Sequence, residues 1–120
     1  MSAYDDLMAF QKETEALGQI MGRLGWDQET TMPRGAAPQR AEEMAALEGV
    51  LHARRTDLRI GDWLSEAHAP SEVGKAQLRL ITRSYERASK VPADLAQRLA
   101  KLTSASQGIW AQARADEDVT

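Results

Sequence analysis

The sequence predicts an all-α fold of antiparallel helical hairpins, about five helices in 120 residues. Apolar residues recur at alternating spacings of four and three, the period of one helix face. No stretch of useful length alternates apolar and polar residues as a half-buried strand would. The connections after the first are short, which favours antiparallel neighbours. The length suits one domain, so residues 1–120 are read as a single helical region. With 42% apolar and 28% charged residues, the composition is that of a folded globular chain rather than a disordered one.

The first helix is expected over residues 3–24. Ala3, Leu7, Phe10, Thr14, Leu17, Met21 and Leu24 form its seam, and Asp5, Asp6, Lys12, Glu13 and Arg23 fall elsewhere. Gly18 and Gly22 lie one turn apart and, lacking side chains, would admit another backbone closely. Residues 25–37, GWDQETTMPRGAA, break the period with two glycines, a proline and adjacent threonines. They read as a long connection pinned by Trp26 and Met32, whose apolar surface would otherwise be left wet.

Pro38 fits the first turn of a second helix over 38–56, where its missing N–H is not needed. Met44, Leu47, Leu51 and Leu58 continue the alternation, and Thr56 and Asp57 allow a break and a fresh cap. A third helix, 58–68, holds Trp63 and Leu64 and is closed by Pro70. Ser71 and Glu72 begin a fourth over 71–90, with Val73, Ala76, Leu80, Ile81, Ser84, Tyr85 and Ala88 on a broad apolar face. Pro92 opens a fifth over 92–115, where Asp94 meets the positive end of the helix dipole. Its seam is Leu95, Leu99, Leu102, Ser106, Ile109 and Ala113, with Trp110 beside it. Asp116, Glu117 and Asp118 form an acidic, solubilising end.

The chemistry that the residues exclude is broad. Without cysteine, disulfides and thiolate metal sites are ruled out. A net charge of −3 gives no general attraction to nucleic acid or anionic lipid. Arg34, Arg40, Arg54, Arg55 and Arg59 are locally basic, but interleaved acids make them a solvated or salt-bridged face. No run of 18 apolar residues is present to span a bilayer, and MSAYDDLMAFQKETEA has neither the basic nor the apolar region of a secretory leader. His52 and His68 are too far apart for the HExxH zinc spacing, and each reads as an exposed or capping histidine. Glu42 and Glu43 point about 100° apart on a helix and do not converge on one atom. No GxSxG, phosphate loop or EF-hand pattern occurs.

Trp26–Asp27 followed by Thr30, Met32, Pro33, Gly35 and Arg40 is the densest cluster of unusual residues. Asp27 suits a turn cap, and Arg40 suits a two-pronged carboxylate contact that braces the connection. Structural bracing is favoured over substrate contact. The segment LGWDQETTMPRGAAPQRAEEMAAL resembles the N-terminal signature of the carboxypeptidase Taq family of zinc metallopeptidases. The residues that carry the resemblance are Trp26, Asp27, Thr30, Met32, Pro33, Gly35, Arg40, Ala41 and Glu42, with Glu43 where a Gln is frequent. Tyr4, Leu7, Trp110, Ala113 and Arg114 extend it across essentially the whole chain.

The resemblance implies an N-terminal region of a larger, largely helical, cytoplasmic and commonly dimeric metallocarboxypeptidase with a deep groove. A zinc-bound water activated by the glutamate of an HExxH motif would release C-terminal amino acids with broad specificity. That motif and a further glutamate ligand lie far downstream in the family, so no catalytic, cofactor-binding or metal residue is assigned to positions 1–120. The expected partners are the remainder of the enzyme, its peptide substrate and a second copy, with neither nucleic acid nor membrane. Alone, the chain is expected to be inactive. The alternative is a freestanding helical interaction module pairing through the seams at 3–24 and 95–113.

Overall fold

A computed structural model describes residues 2–118. Among them are five α-helices and one 3-10 turn, with no strand, so the all-α expectation holds. The helices are α1 (Ala3–Thr30), α2 (Ala37–Arg55), α3 (Leu58–Glu66), α4 (Glu72–Ser89) and α5 (Ala93–Asp118), and the turn spans Arg34–Ala36. The side chains of Glu117 and Asp118, and all of Met1, Val119 and Thr120, lie outside the described residues. So does most of the acidic end.

Short polar side chains start three of the helices. Ser2 Oγ accepts the Asp5 N–H at 3.1 Å, Asp57 Oδ1 accepts that of Arg59 at 2.9 Å, and Ser71 Oγ accepts that of Gly74 at 3.1 Å. Each such cap stabilises its helix by about 1 kcal/mol. Pro38 stands in the first turn of α2.

α1 runs six residues beyond the expected end at Leu24, through Gly25, Trp26 and Asp27 to Thr30. One glycine costs a helix only about 1 kcal/mol, and local bonds offset it. The Thr30 hydroxyl donates to the Trp26 carbonyl at 2.7 Å, and the Asp27 carbonyl accepts from the N–H groups of Thr31 and Met32 at 2.9 and 2.8 Å. The connection therefore shrinks to residues 31–33 and the 3-10 turn. Trp26 is not pinned in a loop but stands on the last turns of α1, 69% exposed, while Met32 is half-buried.

α2 is the central element. α1 runs antiparallel to it, because Arg54 meets Thr14 at one end of the pair and Arg40 meets Asp27 at the other. α5 runs antiparallel along another side of α2, with Gln97 near Gly49, Lys101 paired to Glu42, and Gly108 against Ala37. The resulting body is long and thin, 62 × 26 × 19 Å. Leu7, Phe10 and Ile60 form the large-residue core at the α1–α3 end, flanked by Trp63, Leu78, Ile81 and Tyr85. The Arg54 guanidinium lies 4.0 Å from the centre of the Phe10 ring and donates to the Phe10 carbonyl at 2.9 Å. It therefore stacks on the ring while its Nε donates to the Thr14 hydroxyl at 2.8 Å and its Nη2 to the Phe10 carbonyl and Glu13.

Several expectations about faces are reversed. On α5 the expected seam of Leu95, Leu99, Leu102 and Ile109 points outward, while Ala96 and Ser104 are buried, with Ala100, Ala105 and Gly108 half-buried. Small residues let α5 approach α2 closely. A Cβ on Gly108 would sit 2.8 Å from the Ala37 Cβ, and one on Gly49 would collide with the Gln97 side chain. Gly18 and Gly22, by contrast, admit no neighbouring backbone: the nearest atom to a Cβ at Gly18 is an Arg55 nitrogen at 3.8 Å, and Gly22 faces open space. Leu58, Val73 and Leu80 are exposed, and His52, expected outside, is buried in α2. His68 is exposed between α3 and α4.

Candidate functional site

The densest polar arrangement lies at the elbow where α1 turns back into α2. Arg40 enters from the first turns of α2 with a side chain only 12% exposed. It donates to Asp27 Oδ2 at 2.8 Å, to the Leu24 carbonyl at 2.6 Å and to Glu43 Oε1 at 3.0 Å. The contact with Asp27 is thus a single hydrogen bond rather than the expected two-pronged one, because the second terminal nitrogen turns to Leu24. The other Asp27 oxygen accepts from the Thr31 hydroxyl at 2.5 Å.

These contacts fix the charge state of the elbow. The Thr31 hydroxyl, followed by the Arg40 guanidinium, holds the Asp27 carboxyl below its ordinary range. Asp27 and then Glu43 hold Arg40 more firmly protonated than usual. A carboxylate kept ionised, facing a guanidinium that never gives up its proton, is suited to holding two helices together and unsuited to proton transfer.

The remaining signature residues divide between the elbow and its surroundings. Pro33 begins the 3-10 turn, and its carbonyl accepts the Ala36 N–H at 3.0 Å. Gly35 has a negative φ and open space where a Cβ would stand, so neither backbone geometry nor packing demands glycine there. Glu42 points away from the Asp27–Arg40 contact and pairs with Lys101 on α5. Trp26 faces solvent.

Sequence reasoning missed the Leu24 carbonyl, Thr31 and Glu43 as partners in this cluster. Helical spacing could have found two of them, since Thr31 is four residues after Asp27 and Glu43 three after Arg40. The tie from Gln28 to Ser104 was also missed: Gln28 Nε2 donates to the Ser104 carbonyl at 2.8 Å, and the Ser104 hydroxyl donates to Gln28 Oε1 at 2.9 Å. It joins the end of α1 to the middle of α5.

Beside the elbow, an open cleft of about 630 Å³ runs between the start of α2 and the end of α5. Its walls are largely apolar, from Ala37, Pro38, Ala41, Ala105 and Gly108, with Lys101 and Glu42 at the rim. That lining suits apolar contact, and its polar members are engaged with one another, Lys101 with Glu42, Arg34 with Gln112, and Gln112 with Asp116. Among the described residues no three His, Asp or Glu side chains come together as a metal site. Zinc hydrolases hold their ion on about three protein ligands, so the described residues do not fit a catalytic zinc.

The profile of the family described as "Carboxypeptidase Taq (M32) metallopeptidase" matches residues 6–120. Thermostable carboxypeptidase 1 of Thermus thermophilus is 37% identical over 123 aligned residues, which take in 98% of this chain and 24% of that protein. The chain thus spans about a quarter of the length of the curated relative it matches. No solved structure gives a significant match. A signature concentrated at the α1–α2 elbow, an all-helical architecture and a match running almost end to end lead to one conclusion: the chain belongs to the carboxypeptidase Taq (M32) metallopeptidase family.

Proposed function

We propose that these residues form the N-terminal helical region of a zinc-dependent carboxypeptidase that removes C-terminal amino acids from peptides with broad specificity. In that reading they build one wall or lid of the substrate groove and do not hydrolyse peptides alone. The observation that carries it is a family match across residues 6–120 in a chain covering 24% of a carboxypeptidase relative. Bound zinc would supply an activated water and polarise the scissile carbonyl. The residues here position helices: the Asp27–Arg40 contact fixes the elbow, and Gln28 and Ser104 tie α1 to α5. A cytoplasmic setting and homo-oligomerisation are carried over with the family.

The freestanding interaction module is favoured by one observation, the outward apolar row of α5. Zinc and a short peptide are supplied in parallel to the full-length gene product and to the 120-residue chain, and free C-terminal amino acids are measured. Release by the full-length protein alone is expected. Turnover by the 120-residue chain contradicts the scaffold role, and a reading frame that closes after Thr120 favours the interaction module.

A further inference from the structure

We infer that the outward row of α5, Leu95, Leu99, Leu102 and Ile109, is the docking face for an amphipathic helix of the same polypeptide, supplied by the part of the full-length protein that this chain does not span. The inference rests on the carboxypeptidase reading and adds to it which face is covered and by what.

The row is patterned like a helix–helix contact. Its residues recur at spacings of four, three and seven, a narrow seam of the kind that receives one partner helix. At about 100° per residue Ser104 lies opposite this row, while Ala100 is about 145° and Ala96 about 105° round from it, on the side where α5 is buried. α5 is therefore apolar on two sides, and only the small-residue side is used within these residues. Exposure along the row rises from 38% at Leu95 to 71% at Ile109. Ile109 also borders the cleft beside α2, so the row runs into a recess able to seat a large apolar side chain. Arg98 flanks the seam and makes no salt bridge among the described residues, which fits an occupant with a carboxylate opposite it.

Two considerations select the same polypeptide over a second copy. About three quarters of the relative's length has no counterpart here, so a connected occupant is available in abundance. A stable interface between separate molecules takes about 20–30 residues a side, far more than four residues on one helix. A tethered helix meets the same row without the entropy cost of association between free molecules.

Hydroxyl-radical footprinting of the unsubstituted full-length protein reads the row directly. Side-chain oxidation of Leu95, Leu99, Leu102 and Ile109 is followed by mass spectrometry in native and denatured protein, before and after about a hundredfold dilution. Oxidation at least about tenfold slower in the native protein, unchanged by dilution, is expected for an intramolecular cover. Oxidation as fast as in the denatured protein overturns the inference. Protection that fades on dilution also overturns it and assigns the row to a second copy. Amino-acid release by the same preparation reports separately on the carboxypeptidase reading, so an active enzyme with an open row defeats this inference alone.

Discussion

Where α1 meets α3 and α4, the chain packs large side chains against one another: Leu7, Phe10 and Ile60, backed by Trp63, Ile81 and Tyr85. Where α2 meets α5, it packs small ones, with Gly108 against Ala37 and with Ala41, Ala96 and Ser104 buried along the two helices, and turns the leucines of α5 outward. The first arrangement gains stability from apolar area removed from water, at roughly 25 cal/mol per Å². The second gains it from close approach of two helices along their length, with many short contacts and little area per residue. The difference teaches that the largest apolar residues of a helix need not mark its inner face when a strip of alanine and glycine on the other side matches a neighbour.

The largest expected effect separates the two regions directly. Leu7 is fully buried, so Leu7→Ala lowers the stability of the 120-residue chain by about 2–5 kcal/mol. Leu102→Ala, a change of the same chemistry on the outer face of α5, moves it by no more than about 0.5 kcal/mol. Urea unfolding of both variants measures the contrast, and equal losses would erase the distinction. The next effect probes the small-residue contact. Gly108→Val forces a branched side chain against Ala37, whose Cβ is already 2.8 Å from the position of a first carbon. A loss of about 1–3 kcal/mol is expected, with the helical circular dichroism signal retained.

A glycine outside both contacts gives the opposite sign. Gly22 faces open space inside α1, so Gly22→Ala raises stability by about 0.5–1 kcal/mol through helix propensity alone. The smallest effect belongs to the elbow and is read from its pH dependence. The folded Asp27 carboxyl titrates below its ordinary value of 3.8, so its contribution is fully present above that value and is lost as the pH falls through the lower folded one. The stability difference between wild type and Asp27→Asn should therefore be constant near neutral pH and shrink only in that acidic window. A difference that persists unchanged to the lowest pH would remove the ion pair from the account.

Much of the fold is legible residue by residue. Leu7, Phe10 and Thr14 fall on one face by spacing and are buried together, and Asp57 and Ser71 announce caps because their side chains suit an unsatisfied N–H. The end of α1 is not legible, because Gly25 weakens the period while the bonds that carry the helix past it come from Thr30, Thr31 and Arg40, two of them four residues on and one from another helix. The inner face of α5 is hidden for a different reason. Leucine dominates any apolar count, and only the matching strip on α2 reveals that Ala96 and Ser104 face inward. At the elbow, Asp27 and Arg40 stand out as residue types that pair, whereas the Leu24 carbonyl belongs to the backbone and carries no signature.

The central claim is that these residues are a scaffold and that the metal chemistry of the family is built elsewhere in the enzyme. Titration of zinc into the purified, metal-free 120-residue chain, followed by calorimetry, tests it most directly. No stoichiometric heat of binding is predicted. Saturation at one tightly held zinc per chain, lost on replacing His52 or His68, would contradict it.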